Sequence, residues 1–550
     1  MIPPKQAEPL PTPDDRAARG WLALAWLLAG AALARYLVIL FGESAYGIAK
    51  YYMADDAFYY FQTARNCARG LGSTFDGVHA TNGYHPLWFA IATAVFAVVP
   101  GDTAPLMALY ALQVGLLVGA AALLFAALRE HGRIAAAFTV ALLLASWHGR
   151  KILFAGMESS VGFALGSALV LMAARRRERF FAPASAREAA GVCALLLALA
   201  LARLEASLLG AGWVCAALVM DARAGGYARR RIVAVAATLA LAGAAYVATN
   251  LAVVGVPVPI SGLVKSGGTH TWDKTLGIVL GHRDAFIGLV APPGGSRPAQ
   301  WIAAVETWAL LAALVALLVW ARRRRMPGLV LVVLFALAFV SVSALVTGGI
   351  WAWYRWPALL AGVLATFTLL RLALEHVRPR GLALAALALA TAVAVVPDWY
   401  LTLREHPLAD WSPLRGFVMD RTVQFVREEI PAGDRLGGVS NGIVAYFSGR
   451  QMENLEGLAN GKAFYLARRD SAGYAAYLRE QRIRWIVLHA WSPDDRAWRF
   501  RTYVPAAAVD SVFDLDRFYG LDLAHTAFAG GRQYGGALSE PNVYFVRLKD

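Results

Sequence analysis

Apolar residues in this 550-residue chain gather in long unbroken runs instead of alternating with polar ones, which predicts helices. About eleven runs are long enough to cross roughly 30 Å of hydrocarbon. They lie at about 21–41, 104–128, 134–150, 158–174, 188–203, 205–221, 232–254, 301–321, 327–346, 357–373 and 380–397. Pro86 to Pro100 is also apolar, but it is short and bounded by proline at both ends, which suits an interfacial or partly inserted helix. After Pro397 the pattern becomes a charged, aromatic mixture. Helix-like stretches occur at Leu414–Glu429 and Tyr465–Gln481, and strand-like runs at Arg484–Leu488 and Val543–Leu548.

Composition agrees: 58% of residues are apolar, 16% are charged and the mean hydropathy is +0.50, which places the chain among polytopic membrane proteins. The net charge of +15 comes largely from short arginine clusters between apolar runs, where membrane orientation explains them better than nucleic-acid binding does. With Pro86–Pro100 left out of the crossings, Arg16/Arg19, Arg129/Arg133, Arg175–Arg179, Arg223–Arg231, Arg322–Arg325 and Arg371–Arg380 all fall on one side, the cytoplasm. Residues 42–103, 255–300, 347–356 and everything after about 397 then lie outside, and they hold most of the unusual polar sequence.

The expected domains are a disordered cytoplasmic tail (1–20), a transmembrane domain (21–397) whose first outer loop is 42–103, and an extracytoplasmic mixed α/β domain (398–550). The first span lacks a small-residue cleavage site and is expected to remain as an anchor. Cys67, Cys193 and Cys215 have no metal-motif spacing. The Ala, Gly and Arg bias suggests a bacterial genome and hence the inner membrane.

Asp55-Asp56 stands just outside the first span, ahead of a segment that reads as a helix lying on an interface. A carboxylate pair there is costly unless solvated or used, so it marks candidate chemistry; helix capping is the plainer explanation. Gly156-Met-Glu158 and Arg203-Leu-Glu205 are tight outer turns whose charges serve either as salt-bridge partners or as site groups. Pro257 to Gly268 reads as a rigid approach followed by a flexible Gly/Ser-rich segment carrying Lys265, either a plain loop or an anion-binding one. Trp351-Ala-Trp-Tyr-Arg-Trp356 reads as an interfacial aromatic belt in which Arg355 is a candidate phosphate ligand. His79 and His85 flank Asn82-Gly83 without the spacing of a metal site.

In this order the segments resemble the GT-C superfamily of membrane glycosyltransferases that use polyprenyl-phosphate sugars, on the branch similar to bacterial terminal arabinofuranosyltransferases. The resemblance rests on Asp55-Asp-Ala-Phe58, Ala64-Arg-Asn66, Gly70-Leu-Gly72, Thr81-Asn-Gly-Tyr-His-Pro-Leu-Trp88, Gly156-Met-Glu158, Arg203-Leu-Glu205, Pro259-Ile-Ser-Gly262 with Lys265, and Tyr354-Arg-Trp-Pro357. It extends through Ser440 to Gly449 and Asn454 to Asn460. It implies inverting transfer of a hexosyl or pentosyl unit from a polyprenyl phosphate to an extracytoplasmic glycan, lipid or protein, in cell-envelope glycan biosynthesis.

The resemblance assigns catalysis to Asp55 and Asp56. Asp55, nearer the bend, is expected to be the ionised base, and Asp56 to hold the site or a cation. Lys265, Arg355 and Arg203 are expected to converge on the leaving phosphate, with Glu158, Glu205, Asn82, Tyr84 and His85 lining the substrate site. Some members of the superfamily use a divalent cation (Mg, Mn or Ca), for which Asp56 is the candidate ligand. The alternative function is a transporter or flippase for a lipid-linked or anionic solute; against it, the mid-span positions are overwhelmingly Ala, Leu and Val.

Overall fold

A computed structural model of the chain describes residues 15–266, 297–347, 351–377, 379–404, 413–490, 493–514 and 542–549. The membrane part begins with α1 (Asp15–Gly42), α2 (Ala45–Tyr52), α3 (Ala57–Ala68), α4 (Pro86–Val98), α5 (Ala104–Leu128) and α6 (Arg133–Ala145). It continues through α7 (Trp147–Leu153), α8 (Ser159–Arg176), α9 (Ala186–Ala202), α10 (Ser207–Arg223), α11 (Arg229–Val253) and α12 (Ile260–Ser266). It closes with α13 (Arg297–Arg323), α14 (Pro327–Thr347), α15 (Trp356–His376) and α16 (Arg380–Arg404).

All eleven apolar runs are helical, which makes this an α-helical polytopic membrane protein. Five helices among the described residues are long and apolar enough to cross: Ala17–Gly42, Ala104–His131, Leu204–Arg223, Arg229–Val253 and Ala352–His376. Pro86–Val98, Arg133–Ala145, Pro327–Ser343 and Arg380–Val395 are shorter apolar helices. At 1.5 Å per residue the 13-residue α4 is about 20 Å long, short of the hydrocarbon thickness. The run read as 134–150 is two helices, broken where Ser146 Oγ accepts the Gly149 N–H at 3.0 Å and starts α7. Helix α1 starts within the expected tail, and α16 continues past the expected boundary at Pro397.

The C-terminal part comprises α17 (Pro413–Glu428), β1 (Arg435–Val439), α18 (Gly442–Ser448), β2 (Met452–Asn454), α19 (Lys462–Ala467), α20 (Ser471–Glu480), β3 (Ile483–Ala490), α21 (Pro493–Tyr503), β4 (Val509–Asp514) and β5 (Asn542–Leu548). The expected helix over Tyr465–Gln481 is split, because the Asp470 carboxylate accepts the Gly473 N–H and starts α20 afresh. The sheet order is β2-β1-β3-β5-β4, with β2, β1 and β3 parallel and β5 antiparallel to both β3 and β4.

This sheet domain is joined closely to residues 42–103. Lys50 Nζ lies 2.8 Å from Asp420, Phe58 packs edge-on against Tyr446, and Gln451 Nε2 donates to the Asp76 carbonyl. A Cβ on Gly83 would run into the Leu458 carbonyl oxygen, so the two backbones meet there without room for a side chain. In consequence α3 is buried along most of its length instead of lying on a membrane surface.

Candidate functional site

The two aspartates face different partners. Asp55 turns to the C-terminal domain, where its carboxylate accepts the N–H groups of Gly442 (2.8 Å) and Ile443 (2.9 Å) at the start of α18. It thus caps a helix in another part of the chain, satisfying donors that helix cannot satisfy itself. Gly442 is required for this approach, since a Cβ there would meet the Asp55 carbonyl oxygen.

Asp56 occupies the N-cap position of α3 but its side chain makes no capping bond. Its carboxylate lies 3.7 Å from Lys265 Nζ and remains a quarter exposed. Burial pushes the Asp56 pKa up to about 6: Lys265 lowers it, and Glu456 and Asp55 raise it further.

Lys265 lies in the last turn of α12, so the segment expected to be flexible is helical through Ser266; Gly267 and Gly268 lie outside the described residues. Its ammonium donates to Tyr354 Oη at 3.0 Å. Burial alone would lower the Lys265 pKa, but Tyr354 and Asp56 together hold it above its ordinary value. Arg203 stacks on the same Tyr354 ring, its Cζ 3.8 Å from the ring centroid. Lys265 and Arg203 therefore converge on one tyrosine. Arg355 is half-buried in the same short turn, Ala352–Arg355. Trp351 is exposed, as the expected belt requires, whereas Trp353, Tyr354 and Trp356 are buried and support the interior.

Arg203 is itself buried, with one terminal nitrogen on Glu158 and the other 3.0 Å from Glu205. Glu158 is equally buried and also accepts from Tyr60 Oη at 3.1 Å. Arg203 is thus committed to carboxylates, so its effect on a phosphate would be through Tyr354 and the turn. His85 joins the group: Nε2 is 3.7 Å from Glu158, and Nδ1 accepts the Leu204 N–H at 3.3 Å. Burial lowers the His85 pKa, against a smaller opposing pull from Glu158. Asn82 is a clamp, donating to the Val258 carbonyl (3.2 Å) and accepting the Ile260 N–H (3.0 Å) at the root of the Lys265 helix. Tyr84 stacks on Phe89 and its hydroxyl meets Ser73 Oγ at 2.7 Å.

Sequence reading gave no role to Tyr354 or Glu456. Glu456 accepts from Tyr59 Oη at 2.8 Å and from Ser440 Oγ at 3.1 Å, which brings the C-terminal domain to the Asp56 side of α3. Both residues stand inside motifs that carried the resemblance, and that was the available signal. Asp56 belongs to no cluster of three ion-binding donors among the described residues, and its close neighbour is an ammonium.

A family model described as a domain of unknown function (DUF8728) matches residues 410–534. No curated protein matches the chain. Among solved structures, ArnT from Cupriavidus metallidurans in the apo state is similar at 15% identity, over 96% of this chain and 98% of that one, with a TM-score of 0.51. The Archaeoglobus fulgidus oligosaccharyltransferase in the apo form is 11% identical over 85% of this chain and 69% of its own, with a TM-score of 0.48. The archaeal oligosaccharyltransferase AglB from the same organism, in complex with an inhibitory peptide and a dolichol-phosphate, is 11% identical over 86% and 70%, also with a TM-score of 0.48. The ArnT likeness extends over nearly the whole of both chains, and the fold is of the GT-C type.

Proposed function

We propose, for a chain with the GT-C fold, that it transfers a sugar from a polyprenyl-phosphate donor to an acceptor on the extracytoplasmic face, with inversion and with Asp56 as the general base. The observation that carries this reading is the division of labour between the aspartates: Asp55 is held by two backbone N–H groups, whereas Asp56 is partly accessible and faces a lysine.

Asp56 takes the proton of the acceptor hydroxyl as that oxygen bonds to the anomeric carbon. The carbon–oxygen bond to the phosphate breaks, and the phosphate leaves with the bonding pair. A pKa of about 6 suits a base working near neutrality. Inversion puts base and leaving group on opposite faces of the sugar, so Lys265 cannot stay against Asp56 and also meet the phosphate. Tyr354 holds the ammonium from the side and lets it swing to the donor. That movement removes the interaction that lowers the Asp56 pKa, making Asp56 a stronger base when the donor is bound.

Purified protein incubated with a panel of radiolabelled polyprenyl-phosphate sugars and acceptor lipids tests the reading. Label should move from at least one donor, and Asp56→Asn should abolish the transfer. Movement of intact donor across proteoliposomes without glycosidic transfer would favour a flippase and overturn the proposal.

A further inference from the structure

Apart from the Asp56 group, a second set of polar side chains lies where the first loop meets the sheet domain. Asp76, His79 and Glu453 each offer a donor atom, and these three atoms lie within 4.8 Å of one another. Asp76 and His79 come from a hairpin closed by the Thr74–Ala80 bridge, with Gly77 at φ +80° in its turn. Glu453 comes from β2.

The two carboxylates are oriented from behind. Asp76 Oδ1 accepts the N–H groups of Val78 (2.9 Å) and His79 (2.8 Å), leaving Oδ2 to face His79 Nδ1 at 2.6 Å. Glu453 Oε1 accepts from Asn460 Nδ2 (2.9 Å) and from Tyr477 Oη. Glu453 Oε2 is buried without a hydrogen-bond partner, on a side chain only 2% exposed. An unpartnered buried carboxylate oxygen is costly, and beside a second carboxylate and an imidazole it calls for a positive charge.

We infer that Asp76, His79 and Glu453 bind a divalent transition-metal ion of the zinc class, which staples the first loop to the sheet domain. One imidazole nitrogen and two carboxylate oxygens form a mixed donor set that suits zinc or manganese better than magnesium, which demands an octahedron of oxygens. Neighbouring donors about 2.0 Å from a tetrahedral zinc stand roughly 3.3 Å apart, so the proton between His79 and Asp76 leaves as the ion enters and the two groups separate by about 0.7 Å from their 2.6 Å contact. The Asx turn behind Asp76 and the Tyr477–Asn460 pair behind Glu453 supply the orienting outer shell such sites use. The ion would be structural, and nothing in this inference depends on the reaction proposed above.

The test uses the full chain in detergent, stripped with chelator and then dialysed separately against Zn²⁺, Mn²⁺, Ca²⁺ and Mg²⁺. Bound metal is counted by mass spectrometry, and stability is followed by thermal unfolding and limited proteolysis. Zinc or manganese should bind at one ion per chain, raise the unfolding midpoint by roughly 5 °C at saturating metal and slow cleavage between the loop and the sheet domain. Glu453→Gln and His79→Gln should each lose the ion and the shift, and Asp56→Asn should keep both. Because an unfolded variant also loses the ion, Co²⁺ absorption of the unmutated protein gives a second readout, with d–d bands that report a nitrogen ligand. Failure of the unmutated chain to hold zinc or manganese, or Glu453→Gln binding as the parent does, would overturn the inference and leave Glu453 protonated in its place.

Discussion

Asp55 and Gly442 are 387 residues apart in sequence and are joined by a hydrogen bond of 2.8 Å, the carboxylate of one capping the helix that the other begins. A charge-assisted bond of this kind contributes about 1.5–3 kcal/mol. Asp55→Asn keeps one acceptor oxygen but turns an amide toward the second N–H, so it should loosen the sheet domain by about 2 kcal/mol. Thermal unfolding and protease sensitivity between residues 404 and 440 measure this. Asp56→Asn should leave both unchanged and abolish transfer. The reverse pattern, with Asp55→Asn dead but fully stable, would exchange the two roles.

Acidity should switch the proposed transfer off. As the proposed base Asp56 acts in its ionised form, and its pKa is raised to about 6, so kcat/KM should be flat above that value and fall about tenfold per pH unit below it. The neighbours set the sign of two shifts. Removing Lys265, which lowers the Asp56 pKa, should move the limb to higher pH; Glu456→Gln, which removes a raising charge, should move it lower. Both profiles are read from initial rates, and identical limbs in all variants would exclude Asp56 as the titrating group.

Tyr354 separates two functions that alanine would merge. Tyr354→Phe keeps the ring beneath Arg203 but loses the hydroxyl held by Lys265, and it should lower kcat about tenfold with little change in stability. Tyr354→Ala should also destabilise the fold. Rates and unfolding midpoints for the pair decide the matter, and wild-type turnover by Tyr354→Phe would remove the proposed tether.

Glu158 and Arg203 are each only 1% exposed, so breaking their pair strands a buried charge. Glu158→Ala should cost about 3–5 kcal/mol and reduce the folded yield in membranes. Glu158→Gln, which keeps an acceptor for Tyr60 and Arg203, should cost less. Equal losses from the two changes would show that shape and not charge matters there.

Sidedness can be tested at Ala463, an exposed residue in α19. Ala463→Cys should react with an impermeant maleimide added to intact cells. Modification only after the cytoplasm is opened would reverse the orientation and move the site inside.

The membrane helices were legible because unbroken apolar runs of the right length leave the backbone few other ways to satisfy its hydrogen bonds. Strands β3 and β5 were visible through their β-branched and aromatic residues, whereas β1 was hidden by Gly437 and Gly438. Those glycines mark close packing, since a Cβ on either would strike Leu455 or Asn441. The aspartate pair stood out in the sequence, but the different partners of its two members did not. The deciding partner of Asp55 is distant in sequence, and the burial that shifts Asp56 belongs to the folded state. Helix α3 meets the sheet domain through Phe58, Tyr59 and Arg65, contacts that local periodicity does not show.

The cap on α18 also has a consequence in time. A ribosome feeding this chain into the membrane delivers the aspartate pair early, but the N–H groups that hold Asp55 arrive only with residues 442 and 443. Until then the Asp55-Asp56 corner lacks its final brace, and truncation upstream of α18 removes the contact whatever the remaining membrane part does.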